Sequence, residues 1–267
     1  MKKILSLIAI LLIASTIFTN AKLTSHKKEV ENGYNFWLYE PDSLSVDSLG
    51  NIVHKPIVIF LHGASLCGRN LNKVLRYGTV HAVEGGREIN AYILAPQNPG
   101  GAWNPLKINN LLDWAIENHS IDTTRVYILG MSLGGYGTID YTATYPNRVA
   151  AAMALCGGGT VKDYSGLNEV PLWIIHGTAD RAVSVKQSRL VVDAMIECGD
   201  TTRLRYDEWK GVNHGRLARL FYMVETYDWL MSHSLNDSLR PVNREISIVN
   251  SDLNNAYRGL KLKKKRR

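Results

Sequence analysis

VYILGMSLGG, residues 126–135, is the stretch that decides how this chain folds. Its first half is apolar and runs directly into the pattern Gly-x-Ser-x-Gly. Together they predict a strand, a sharp turn carrying Ser132, and a helix from Gly134 to Tyr145, ended by Pro146. Glycines beside the serine allow strand and helix to approach closely. We expect Ser132 at the end of a sheet, within reach of a base and a substrate.

A nucleophilic serine needs a general base, and the base needs an acid that orients it. The apolar run 170–175 ends in a loop that carries Asp180, and a short strand near 203–206 leads to a loop that carries His214. In this type of motif the serine comes first in the chain, then the acid, then the histidine. We therefore predict Ser132, Asp180 and His214 as the catalytic residues.

Other histidines and carboxylates fit these roles less well. His176 precedes Asp180 and is expected to be packed and hydrogen-bonded, whereas His233, on a helix predicted over 215–233, is expected at the surface. The histidines that precede the serine would break the expected chain order; they are His26, His54, His81 and His119. The competing acids are Asp163, Asp207 and Glu208.

Acyl transfer also requires backbone amides that stabilise an oxyanion. One amide is expected from Leu133, the residue after the serine, and the other from a loop after an early strand. The run 57–61 is such a strand and continues into His62-Gly63-Ala64-Ser65, so we assign the second amide to Ala64. His62 is expected to be a structural hydrogen-bonding residue.

These motifs resemble those of the α/β-hydrolase superfamily over about residues 34–234. The similarity is to secreted bacterial esterases of the dienelactone hydrolase, phospholipase-carboxylesterase, and feruloyl and acetyl-xylan esterase groups, and to the "predicted peptidase" group. Strands that alternate with helices independently predict a mostly parallel sheet covered by helices on both faces. The segment 156–169 is too short for a lid domain, so we expect an open site.

The resemblance implies a serine esterase that acts on small-molecule or polysaccharide esters. A serine peptidase or an acyltransferase would use the same three residues, and the intact motifs argue against a non-catalytic binding module. Ser65 and Trp103 are candidate substrate contacts. Trp103 either stacks on a sugar or aromatic ring or fills the loop 96–104 against the domain. No cofactor is expected, and no metal-ligand spacing occurs in the chain.

The two ends of the chain differ from its centre. Residues 1–21 have the basic start, apolar run and small residues of a secretory signal peptide, so the predicted protein is exported with no membrane span after cleavage. Residues 22–234 form the predicted domain. Residues 235–267 are a C-terminal extension, expected to be disordered from about Asn254.

Charge and cysteine content limit the remaining possibilities. The net charge is +7, but six positive charges lie in 261–267 and two at the N-terminus, so the domain is nearly neutral and nucleic acid is not an expected partner. Three cysteines leave at least one thiol unpaired within the chain, and a Cys67–Cys156 disulfide is one hypothesis.

The early segments predict an edge strand over 32–40 and a hairpin over 48–55.

Overall fold

The computed structural model describes residues 21–41, 49 and 52–262, and its central feature is a sheet of eight strands. The strands are β1 (Lys22–His26), β2 (Asn35–Glu40), β3 (Lys55–Leu61), β4 (Tyr92–Gln97), β5 (Ile121–Met131), β6 (Ala151–Leu155), β7 (Leu172–Gly177) and β8 (Leu204–Trp209). Their order across the sheet is β1-β2-β4-β3-β5-β6-β7-β8. Strands β3 to β8 run parallel, and β1 and β2 pair antiparallel at one edge.

This order confirms the mostly parallel sheet predicted from the sequence. The strand expected over 32–40 is β2, but it is not an edge strand, because residues 22–26 pair along its outer side as β1. Residues 48, 50 and 51 of the hairpin predicted over 48–55, and the signal segment up to residue 20, lie outside the described residues.

Helices cover both faces of the sheet, as predicted. They are α1 (Thr79–Glu84), α2 (Pro105–Asn118), α3 (Leu133–Thr144), α4 (Lys186–Glu197), α5 (His214–Leu217) and α6 (Val224–Met231). Short 3₁₀ helices lie at Ala64–Leu66, Leu71–Arg76, Pro146–Arg148, Ser165–Glu169, Ala218–Tyr222 and Asn250–Asn255. Between β6 and β7 the chain forms only one 3₁₀ turn, so no lid domain is inserted there.

The core has two layers because successive side chains of a strand point to opposite faces. Ile57 and Ile59 pack with α2, α3 and α4, whereas Val58 and Phe60 pack with α1, α5 and α6. All four of these side chains are fully buried. Burial on both faces explains why the central strands are almost continuously apolar in sequence.

The single helix predicted over 215–233 is wrong in two respects. The chain forms α5, a 3₁₀ turn and α6, and the break lies at Met223, whose backbone is extended. Two side chains stabilise the break: Thr226 Oγ1 donates to Leu220 O at 2.8 Å and Tyr227 Oη donates to Phe221 O at 2.6 Å. The second error concerns His233, which was expected at the surface. Its side chain is buried, and its ring accepts the Asn243 amide at 3.0 Å.

The C-terminal extension is more ordered than the sequence predicts. Leu253 is fully buried and Ala256 is 2% exposed, and both belong to the same core layer as Trp229. Further along, the Lys261 amide donates to Gly85 O at 2.8 Å. Disorder from about Asn254 is therefore wrong up to residue 262, and the last five residues lie outside the described part of the chain. No helix in that part is long and apolar enough to cross a membrane.

Packing of the extension can be tested with one pair of variants. We expect Leu253→Ala to lower the free energy of unfolding by about 2–5 kcal/mol, because it leaves a cavity in the core. Val249→Ala, four residues away at a half-exposed side chain, serves as the control and should change stability by less than about 0.5 kcal/mol. Urea unfolding measures both, and equal small effects would show that the extension does not pack.

Candidate active site

Ser132 occupies a sharp turn between β5 and α3. Its backbone has φ 60° and ψ −123°, a conformation that non-glycine residues rarely adopt. Such a strained residue persists only where the surrounding structure holds it in place. Here the Ser132 amide donates to Leu155 O at 2.9 Å, and the Tyr136 amide donates to Ser132 O at 3.0 Å.

Glycines make this turn possible by removing side chains between closely packed backbones. A Cβ atom on Gly134 would lie 1.9 Å from Leu61 O, and one on Gly130 would lie 2.4 Å from Gly134 O. Any side chain at these positions would push α3 away from β3 and β5. The motif read from the sequence therefore corresponds to a steric requirement in the folded chain.

Asp180 and His214 form the shortest polar contact near this turn. Asp180 follows β7, His214 begins α5 after β8, and these strands are neighbours in the parallel part of the sheet. His214 Nδ1 donates to Asp180 Oδ2 at 2.6 Å. The Asp180 side chain is fully buried and that of His214 is 23% exposed, so the acid is enclosed while the imidazole faces solvent.

The surroundings of Asp180 keep it ionised. Burial alone would raise the pKa of this carboxyl, but hydrogen bonds from the Val183 amide, His214 and the Ala182 amide outweigh burial and hold the pKa below its usual value. The two amides donate to Oδ1 at 2.9 and 2.8 Å, respectively. An ionised Asp180 fixes the proton of His214 on Nδ1 and leaves Nε2 as a proton acceptor.

The structure brings Ser132 to the same sheet edge but shows no hydrogen bond between its hydroxyl and His214 among the described residues. Cys156 is near both, since its thiol interacts with the Ser132 backbone and with Asp180. Its thiol is within 4.8 Å of both a ligand oxygen of Asp180 and a ring nitrogen of His214, and it follows Leu155, which accepts the Ser132 amide. Hydrogen bonds to a catalytic serine are often long without substrate.

Cys156, Asp180 and His214 are close enough to hold a metal ion, but two of the three side chains are already bonded to each other. Burial raises the pKa of the Cys156 thiol, so without a metal the thiol stays protonated. His214 Nδ1 is already bonded to Asp180. The hypothesis of a Cys67–Cys156 disulfide is wrong, since both thiols are free.

The loop after β3 lies against the serine turn. A Cβ atom on Gly63 would be 3.4 Å from Ser132 Cβ. Ala64 begins a 3₁₀ helix and Leu133 begins α3, so neither amide has an acceptor within its own helix. Both amides thus meet the first requirement of an oxyanion hole, and this role for Ala64 and Leu133 stays a prediction.

Tyr77 holds this loop in place and was not predicted from the sequence. Its hydroxyl accepts the Gly63 amide at 2.9 Å, and it also interacts with the Ser65 side chain. Burial raises the pKa of Tyr77, so the hydroxyl stays neutral. Ser65 itself is exposed next to Ala64. No local motif marks Tyr77, because it lies 14 residues beyond the glycine that it supports.

His62 and Trp103 stabilise the loops and have no access to a substrate. His62 is fully buried, its Nε2 accepts the Asn98 amide at 3.0 Å, and burial lowers its pKa to about 4. Trp103 is 3% exposed and donates from Nε1 to His62 O at 3.3 Å. Its ring packs against Gly137 of α3. Stacking of a substrate ring on Trp103 is therefore wrong, and the alternative of a packed loop residue is correct.

His176 is buried beside the acid, as the sequence suggests, and contacts it. Its Nδ1 lies 2.7 Å from Ser188 Oγ, and its Nε2 lies 3.0 Å from Val183 O and 3.4 Å from Asp180 Oδ2. Burial lowers the pKa of His176. Since both ring nitrogens are enclosed by protein groups, His176 supports the acid loop and leaves proton transfer to His214.

A second unpredicted residue, Asp140, fixes the glycine-rich loop after β6. This carboxylate on α3 is 3% exposed and accepts the Thr160 amide at 2.7 Å and the Thr160 hydroxyl at 2.6 Å. These hydrogen bonds attach the loop to α3, the helix that begins at the serine turn. A single acid in an otherwise ordinary helix gives no sequence signal for this contact.

Comparisons with known proteins show what this arrangement is similar to. No family model matches the chain. It is 38% identical over 73 residues, 27% of its length, to acetylxylan esterase A of Emericella nidulans, and that match spans only 24% of the relative. The crystal structure of a thermostable esterase is 26% identical with a TM-score of 0.59, covering 80% of this chain and 63% of the other.

A third comparison concerns the fold alone. The S-formylglutathione hydrolase of Staphylococcus aureus is 16% identical and has a TM-score of 0.59, with 80% of this chain and all of that enzyme covered. Together with the sheet order and the strained serine turn, these matches decide the fold. The chain has the α/β-hydrolase fold. Its resemblance to this superfamily, stated above from motifs, is confirmed.

A surface cavity lies directly beside His214 in this fold. Its volume is about 450 Å³, and it is formed by the acid loop and the histidine loop. The lining residues are Ala179, Arg181, Ala182, Gly211, Asn213, His214 and Gly215. Because the cavity is open to solvent at the imidazole, it is accessible to a substrate without movement of a lid.

The ionised state of Asp180 makes stability depend on pH. A carboxyl whose pKa is lower in the folded protein stabilises it above the unfolded pKa, near 3.9, and this stabilisation is lost as pH falls through the folded pKa. We expect Asp180→Asn to unfold more easily than the parent at pH 7, and the difference to shrink below about pH 4. Urea unfolding at several pH values measures it.

Asp193→Asn is a matched control for this experiment. Asp193 is an exposed carboxylate on α4, so its replacement removes one negative charge without disturbing the site. A difference between parent and Asp180→Asn that does not change with pH would contradict the assignment of an ionised, hydrogen-bonded Asp180.

Proposed function

We propose that this protein is an exported serine hydrolase that cleaves carboxylic esters through an acyl-enzyme on Ser132. The observation that carries the proposal is the 2.6 Å hydrogen bond from His214 to a buried, ionised Asp180 at the sheet edge that holds Ser132. Relatives named acetylxylan esterases support an ester substrate. We therefore propose acetyl or feruloyl groups on plant polysaccharides as the natural class.

The proposed reaction begins with His214. Its Nε2 accepts the proton of the Ser132 hydroxyl while the serine oxygen attacks the ester carbonyl. The amides of Ala64 and Leu133 then donate to the oxyanion. Asp180 stabilises the imidazolium that forms and keeps its orientation.

Collapse of this intermediate breaks the bond to the alcohol oxygen, which takes the proton from His214 and leaves as the free alcohol. Water then gives a proton to His214 and attacks the acyl-enzyme. The second intermediate releases the acid, and His214 returns the proton to Ser132. Each proton is transferred through one nitrogen, so the 2.6 Å contact on the other nitrogen is needed in both halves.

Kinetics of single and double variants test the triad. With p-nitrophenyl acetate, we expect Ser132→Ala and His214→Ala each to lower kcat/KM by at least about 10³-fold, because the two residues act as one unit. For the same reason the double variant should be no slower than either single variant. Ser238→Ala, which changes an exposed serine of the C-terminal extension, is the control and should keep full activity.

Substrate panels separate the esterase from its alternatives. Faster cleavage of a peptide amide than of acetylated xylan would favour a peptidase. Transfer of the acyl group to an added sugar in preference to water would favour an acyltransferase. Ester hydrolysis that survives in Ser132→Ala would contradict the proposed nucleophile altogether.

Export is tested by the N-terminus of the mature protein. Signal cleavage after Ala21 should give a chain that begins at Lys22, found outside the bacterial cytoplasm by intact-mass measurement. Ala21→Tyr should block cleavage, because signal peptidase requires a small residue there. Asn20→Ala, one position earlier, should be processed normally. Full-length chain retained in the cytoplasm of the parent strain would contradict export.

A further inference from the structure

We propose that the cavity beside His214 binds the alcohol part of the ester and that Arg181 selects alcohols that carry a carboxylate. The inference rests on the proposed function and names its substrate class more narrowly. The cavity holds about 450 Å³ and is lined by Arg181, Asn213 and His214 together with four alanine or glycine residues.

The position of the cavity assigns it to the alcohol. In acyl transfer the histidine that took the serine proton later gives it to the leaving group. The departing oxygen must therefore lie next to the imidazole of His214, and the rest of the alcohol extends from that oxygen. His214 is part of the cavity lining, so the alcohol is the part of the substrate that reaches it.

The charge of the cavity is positive. Arg181 is the only lining residue with a permanent charge, and no aspartate or glutamate lines it. The acids of the neighbouring loops already have partners: Asp180 binds His214, and Glu208 accepts from Arg189 at 2.6 Å. Within the described part of the chain, Arg181 makes no hydrogen bond or ion pair. A guanidinium offers paired donors that match the two oxygens of a carboxylate.

Asn213 adds a second donor next to Arg181. Its Oδ1 accepts the Arg216 amide at 3.1 Å, which leaves the side-chain NH₂ group for a ligand. Open space lies beside Gly211 and Gly215, since a Cβ atom on either would meet nothing within 4 Å. The lining thus combines donors and space, as an anionic group requires.

The loop that carries Arg181 is fixed by the acid itself. The amides of Ala182 and Val183 donate to Asp180 Oδ1, so the turn from 180 to 183 is tied to the same carboxylate that orients His214. The backbone of Arg181 is therefore fixed relative to the imidazole, and its exposed side chain extends from that fixed point.

Two esters with the same acyl group test the proposal: 4-acetoxybenzoate, whose alcohol carries a carboxylate, and its neutral methyl ester. In the parent protein we expect kcat/KM for the anionic ester to be about five times that for the neutral ester. A larger ratio is not expected, because an exposed ion pair contributes little more than this. Arg181→Gln should lower this ratio to about one, and Arg181→Lys should keep only part of it. In 1 M salt the parent ratio should also fall.

Lys186→Gln is the matched control, because it removes one exposed positive charge five residues away that does not line the cavity. It should keep the parent ratio. Acetylated glucuronic acid compared with acetylated glucose then distinguishes a sugar acid from an aromatic acid as the source of the carboxylate. A ratio that Arg181→Gln leaves unchanged overturns the proposal.

Binding without turnover separates this proposal from the proposed function. In Ser132→Ala, 4-hydroxybenzoate should bind at least about fivefold more tightly than methyl 4-hydroxybenzoate, and Arg181→Gln in that background should abolish the difference. Circular dichroism confirms that each variant is folded. If neither ester is cleaved, the esterase proposal fails, and this binding comparison still decides the cavity: equal affinities overturn it.

Discussion

Close contact between backbones at the start of α3 is the constraint on which the site depends. Gly134 meets the carbonyl of Leu61 at a distance that no side chain would permit, and Gly130 meets Gly134 in the same way. Ser132 has its strained conformation at the turn between these two glycines, and the loop after β3 lies against it. The turn is thus held by close packing of the backbones around it.

Sequence reasoning succeeded where function requires a local pattern and failed where it depends on distant contacts. The strand–serine–helix motif, the parallel sheet and the pairing of Asp180 with His214 follow from spacing and chain order. Tyr77 and Asp140 support loops far away in sequence, so nothing local marks them. Trp103 was ambiguous because a tryptophan in a loop near the site either binds a ligand or packs, and only burial decides.

The predictions of one continuous helix through Met223 and of a disordered extension failed for a related reason. Periodicity detects an apolar face, but it does not show that Thr226 and Tyr227 side chains bind the carbonyls that a longer helix would use. The extension contains few apolar residues, yet Leu253 and Ala256 are buried in the same core layer as Trp229. The composition of a segment does not show whether its few apolar residues are placed so that they pack against the core.

Three histidines, two of them buried, show how surroundings assign different roles to one side chain. His62 and His176 have both ring nitrogens enclosed and lowered pKa values, so they act as rigid supports. His214 has one nitrogen fixed by a carboxylate and remains partly exposed. A free nitrogen next to open space is therefore what distinguishes the proposed base from its neighbours.

The C-terminal extension has a consequence for synthesis. Leu253 and the amide of Lys261 complete a core layer that also contains α1, more than 150 residues earlier in the chain. That layer stays open to water until the ribosome has released the final described residues, so a nascent chain exposes apolar surface for most of its translation. An unfinished layer of this kind delays stable folding of the sheet until the last segment of the chain has been made.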